Sequence, residues 1–171
     1  MTLHGKKGML CFVLIVLAFS VSGCACMNKG ERVRLKEPRI TPLPAAQWTE
    51  EQKRILHPLR AKDGSLLNLY PTLVRHPVMA DRFLTFARYI LRESSLPPRE
   101  REILILRIGW LCQSEYEFGQ HTLVGKAVGL TPEEIARIPE GPDAPGWAPF
   151  DATLIRATDE LHADAFISDA T

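Results

Sequence analysis

The sequence predicts an all-α domain, and three observations carry that expectation. No stretch alternates apolar and polar residues for long enough to make a half-buried strand. Thr49-Glu50-Glu51-Gln52 and Thr131-Pro132-Glu133-Glu134 both have the form of a capping box. In that pattern a threonine and the Gln or Glu three positions on satisfy each other's backbone N–H. Between the two boxes, apolar residues recur at helical spacing.

The chain divides into a leader (1–23), a tether (24–48) and a domain (49–171). Lys6 and Lys7 precede an apolar run from Met9 to Val21. That run is shorter than the roughly 20 residues a membrane-spanning helix needs. It ends in Val21-Ser22-Gly23-Cys24, which resembles a bacterial lipobox. The resemblance implies cleavage before Cys24, lipidation of Cys24 and attachment to a membrane of the cell envelope, facing the periplasm. An ordinary cleaved signal peptide is the competing reading. Each buried acyl methylene contributes about 0.8 kcal/mol, so a multiply acylated cysteine holds durably. Ala25 stands where inner-membrane retention would use Asp, which favours the outer membrane.

Composition suits one modest globular domain of a 171-residue chain with net charge +1. No basic patch with interleaved aromatics is present, so nucleic acid is not an expected partner. Of four cysteines, Cys11 leaves with the leader and Cys24 takes lipid. Cys26 on the tether and Cys112 in the domain do not make a disulfide scaffold. Pro38, Pro42 and Pro44 make the tether an extended spacer.

The domain's elements follow in order. A short helix opens at the first capping box and runs to about residue 56. Another short one surrounds Pro71. Residues 77 to about 92 form an amphipathic helix with Val78, Phe83, Phe86, Tyr89 and Ile90 near one face. Residues 95 to about 111 form a helix apolar nearly all round apart from Arg107, and such a helix is usually buried. Residues 114 to about 128 form the next, stopped by Gly129. A short helix begins at the second capping box, with Pro132 in its first turn, and ends near 138. A loop rich in Gly and Pro covers 140–149, and a last helix covers 150 to about 165.

Candidate chemistry is confined to Leu96–His121. Glu102 heads the apolar helix, after Pro97 and Pro98. Glu117 and His121 are i and i+4 on the next helix and share a face. Ser114 lies on that face too, where it either caps the helix, the favoured reading, or joins the pocket. On spacing alone a Glu-x3-His pair is more often a solvated helix face. Cys112 beside the apolar run reads as a small buried hydrophobe. Trp110 and Phe118 read as core, and Tyr116 as core or pocket wall. No Cys or His cluster has ligand spacing, so no metal is expected.

These residues carry a resemblance to the carboxymuconolactone decarboxylase-like domains, which share a helical bundle with the alkylhydroperoxidase D-like proteins. The matching segments are Leu96 to Glu102, Tyr116-Glu117-Phe118 with His121, and Ala127 to Ile135. The resemblance runs from about Asn68 to the end. It implies Glu102, Glu117 and His121 as catalytic, no cofactor, and a homo-oligomer. The peroxidase branch carries a Cys-x-x-Cys with a His four residues after it. Here those positions hold Ser114 and Glu117, so the redox pair is absent. What remains resembles the Cys-free branch, which acts on small carboxylates or lactones by decarboxylation or isomerisation. Peroxide reduction, and a non-catalytic envelope lipoprotein or gene fragment, are the alternatives. Ser168-Asp169 reads as the start of a further helix, so a C-terminally truncated bundle is expected, with Phe150, Leu154, Leu161 and Phe166 left exposed.

Overall fold

Helix α1 (Glu50–Leu56) starts at the first capping box. The Thr49 hydroxyl accepts from the Gln52 N–H at 3.3 Å, and the Gln52 carbonyl oxygen accepts from the Thr49 N–H at 2.9 Å. The other end of the same amide donates to the Val74 carbonyl at 2.8 Å. One glutamine thus starts the helix and ties it to the chain 22 residues later.

The computed structural model describes residues 37–171. The expected signal segment, Cys24 and Cys26 lie outside the described residues. Residues 42–171 form one unit of seven α-helices joined by turns, with no strand among the described residues. After α1 come α2 (Leu69–Leu73), α3 (Pro77–Arg88), α4 (Pro98–Leu111), α5 (Glu115–Ala127), α6 (Pro132–Arg137) and α7 (Pro149–Asp164). The all-helical expectation therefore holds. α3 does not run unbroken to residue 92; it widens into a π-type turn at Tyr89–Glu93.

α4 is the centre, packed against α5 on one side and α7 on the other. Ile103 and Leu106 from α4 bury completely with Leu130, Ile135, Ile138 and Ile155. A second cluster joins Ile55 and Leu56 of α1 to Val74 and Ala80, with Trp48 and Leu84 against it. Trp48 is already part of this packing, and its indole donates to the Leu43 carbonyl at 2.8 Å.

α5 ends as its glycine suggested. Gly129 takes φ +105°, which side chains rarely adopt. The Leu130 N–H then reaches back to the Gly125 carbonyl at 2.9 Å, the six-to-one bond of a Schellman ending. α6 starts at the second capping box, with Thr131 and Glu134 bonded reciprocally.

Two arginines of α4 clasp the bundle. Arg99 grips Asp151 at the start of α7 with two bonds, at 3.0 and 2.9 Å, and also bonds Glu134 of α6. The bonded Asp151 carboxylate pushes the Arg99 guanidinium above its ordinary range; burial opposes this and Glu134 adds to it. Arg107 grips Asp159 at 2.6 and 2.9 Å and donates to the Ile138 and Pro139 carbonyls. The polar break in the apolar run is therefore a satisfied internal staple.

Several exposure expectations are corrected. The apolar run of α4 is not covered all round: Ile108 is 37% and Trp110 48% exposed. Trp110 is thus not core; its indole lies edge-on to Phe118, ring centres 6.0 Å apart. Phe118 does pack against the core. Cys112 is exposed, because it follows the last turn of α4 where no neighbour covers it. Val78, Phe83 and Phe86 of α3, with Tyr89 and Ile90 of the π-type turn after it, are also exposed, while Ala80 and Leu84 are what turn inward. Phe150, Leu161 and Phe166 stand exposed as expected, whereas Leu154 is half-buried on α7. Residues 168–171 form a turn and not a helix. Glu160 accepts from the Ser168 N–H and from the hydroxyls of Ser168 and Thr171.

Candidate functional site

Glu102 lies one turn into α4 and is 1% exposed. Its helix neighbours Ile103 and Leu106 bury in the core, so the carboxylate is drawn in with the helix. A buried carboxylate needs partners, and its main partner comes from α5. Glu102 Oε2 lies 2.6 Å from His121 Nδ1. With Glu102 ionised, its carboxylate can only accept, and Nδ1 is then the ring nitrogen that donates. That leaves Nε2 as the nitrogen able to take or give a proton, as in other carboxylate-oriented imidazoles.

Nε2 faces Glu117. The separation to Glu117 Oε2 is 3.6 Å, an ion-pair distance and longer than a hydrogen bond. The i, i+4 spacing on α5 produces this. Glu117 is 44% exposed at its side chain and His121 19%. The three groups thus run from a buried carboxylate through a mostly covered imidazole to a solvent-facing carboxylate. Such a line can pass a proton between solvent and interior at Nε2.

Ser114 occupies the N-cap position of α5, and its carbonyl accepts from the Phe118 N–H at 3.0 Å. Its hydroxyl makes no capping bond, contrary to the expectation; with ψ at 91° the residue departs from the fully extended capping geometry seen at Thr49 and Thr131. Tyr116 is 42% exposed on the outside of α5. Among the described residues, no group of three or more His, Cys, Asp or Glu is placed to hold a metal ion.

Arg101 also borders the Glu102 carboxylate. Its Nε lies 3.7 Å from Glu102 Oε1, the oxygen that His121 does not use. That nitrogen is buried and has no hydrogen-bond partner. Neighbours i and i+1 on a helix do not ordinarily face each other, so sequence position alone gave no signal.

An apolar cleft of about 590 Å³ opens on the other side of α4, against α7. Leu104, Ile105, Ile108, Leu154 and Leu161 line it, and Glu102, Glu117 and His121 do not.

Residues 77–160 match the model of the carboxymuconolactone decarboxylase family. The matched segment holds α3 to α6, most of α7, and all of Arg101, Glu102, Glu117 and His121. Neither the curated proteins nor the solved structures yield a match to the chain.

Proposed function

We propose, with the carboxymuconolactone decarboxylase family match over residues 77–160 as premise, that this protein is a cofactor-free acid–base enzyme. Its substrate class is a small carboxylate or lactone, and its reaction a decarboxylation or isomerisation. The observation that carries the reading is the 2.6 Å contact between buried Glu102 and His121 Nδ1. That contact presents Nε2 as the acid or base. Glu117 orients the ring from the solvent side and relays the proton. The Arg99 and Arg107 clasps fix α4, which carries Glu102, against α7, and a rigid support limits the misplacement that costs rate.

Peroxide reduction is less well supported. Ser114 and Glu117 stand at the positions of the redox pair, and Cys112 is the free cysteine among the described residues. The leader and lipobox-like segment further suggest anchoring to the envelope through Cys24, towards the outer membrane. No helix among the described residues is long and apolar enough to cross a membrane. The exposed apolar residues of α3 suit a homo-oligomer.

The test is turnover on a panel of lactones, keto acids and peroxides. His121→Asn and Glu102→Gln should each abolish turnover of a carboxylate or lactone while the helical spectrum persists. Full activity in both variants would sink the reading. Peroxide consumption lost in Cys112→Ser would replace it with the peroxidase one.

A further inference from the structure

α4 carries three arginines near its inner faces, and they are treated differently. Arg99 and Arg107 each make bidentate bonds to a carboxylate and further bonds besides. These are structural arginines with their donors used. Arg101 sits between them in sequence. It is only 13% exposed at its side chain, yet the described bonds include none from its guanidinium. Its Nε is buried and unpartnered. A buried donor left unmade costs about 1–3 kcal/mol, so a bundle that satisfies two arginines this fully leaves the third open at a cost.

The open arginine is beside the dyad. Glu102 has Arg101 at 3.7 Å from Oε1 and His121 at 2.6 Å from Oε2. Guanidinium and imidazole therefore flank one buried carboxylate. The 3.7 Å gap is too long for a hydrogen bond, so Glu102 places Arg101 without using up its N–H groups. A planar fork of free N–H donors in a mostly covered site fits a planar oxyanion.

We propose that Arg101 is a substrate-binding residue that receives a carboxylate of the small acid and holds it beside the His121 imidazole. This rests on the acid–base reading of the site for the identity of the substrate class, though binding of the anion can be measured without it. A purely structural arginine would hydrogen-bond Glu102 directly, as Arg99 does Asp151.

The probe is adipate, a flexible dicarboxylate, with adipamide as its neutral isostere. The full-length chain is labelled with ¹⁵N-arginine, and the Arg101 Nε–H signal is assigned by its loss in Arg101→Lys. Adipate should move that signal saturably and adipamide should not. Arg101→Met should weaken adipate binding by roughly 10- to 100-fold, and Arg101→Lys by less, since a point charge replaces the fork. If Arg101→Met fails to fold, the wild-type signal and Arg101→Lys still decide. No saturable shift, or adipate affinity in both variants unchanged from the wild type, overturns the assignment. The two readings fail separately. Adipate bound through Arg101 with no turnover on any substrate supports Arg101 and removes the acid–base reading. Turnover with KM unmoved in both Arg101 variants overturns the Arg101 role and leaves the acid–base reading standing.

Discussion

His121 Nδ1 meets Glu102 Oε2 at 2.6 Å across two helices, 19 residues apart in the chain. With Glu102 ionised the contact leaves Nε2 as the available imidazole nitrogen, and the acid–base reading of this site depends on that.

His121 is therefore expected as the Nδ1–H tautomer when neutral. Long-range ¹H–¹⁵N correlation of the ring nitrogens checks it directly. In Glu102→Gln the amide can donate to Nδ1 as well as accept, so the ring should populate the other tautomer. The lost charge-assisted bond should lower stability by about 1–3 kcal/mol, read from urea denaturation. An unchanged tautomer and unchanged midpoint would show that the carboxylate does not orient the ring.

Asp151→Ala should be one of the more damaging substitutions outside the core. It removes both bonds that join the start of α4 to the start of α7 and leaves Arg99 with Glu134 and Glu100 only. Asp151 is 4% exposed, so the loss should be about 2–3 kcal/mol. Denaturant midpoints of Asp151→Ala and Asp151→Asn measure it.

Glu160 should make the C-terminal turn sensitive to acid. Its bond from the Ser168 N–H, with that from Thr171, holds its carboxyl below the ordinary glutamate value. A group whose value falls on folding adds stability above its unfolded value and loses it as pH drops through the folded one. The turn should therefore release only below about pH 4.3, the unperturbed glutamate value. Hydrogen exchange at the Ser168 amide follows this; protection that persists in Glu160→Gln would show that the charge is not what holds the turn.

Ala165→Gly should stabilise the chain slightly. Ala165 ends α7 in the left-handed region at φ 55° while its N–H bonds the Leu161 carbonyl at 3.2 Å. A side chain pays roughly 1–2 kcal/mol there and glycine does not, whereas glycine adds about 0.4–1 kcal/mol of unfolded-state freedom. The net gain should be about 0.5 kcal/mol, visible as a small rise in melting temperature.

Local chemistry was legible in the sequence. Both capping boxes start helices at the expected residues, because a threonine and a side chain three positions away need nothing beyond their own turn. Gly129 ends α5 for an equally local reason. The all-helical class follows from these signals and from apolar spacing. The pairing of Glu117 with His121 follows from i, i+4 geometry.

What lies across helices was not legible. Helical spacing marks which residues could share a face but not which faces a neighbour covers. So Trp110 and Cys112 read as buried and stand exposed, and the apolar side of α3 turns outward. The meeting of Glu102 with His121 was suggested by resemblance and not by spacing, since α4 and α5 must first pack. The open state of Arg101 had no local signal at all. Sequence determined where helices begin and end, because hydrogen bonds within a turn decide that. Tertiary structure decided which charges are satisfied and which are left free, because that depends on groups many residues away.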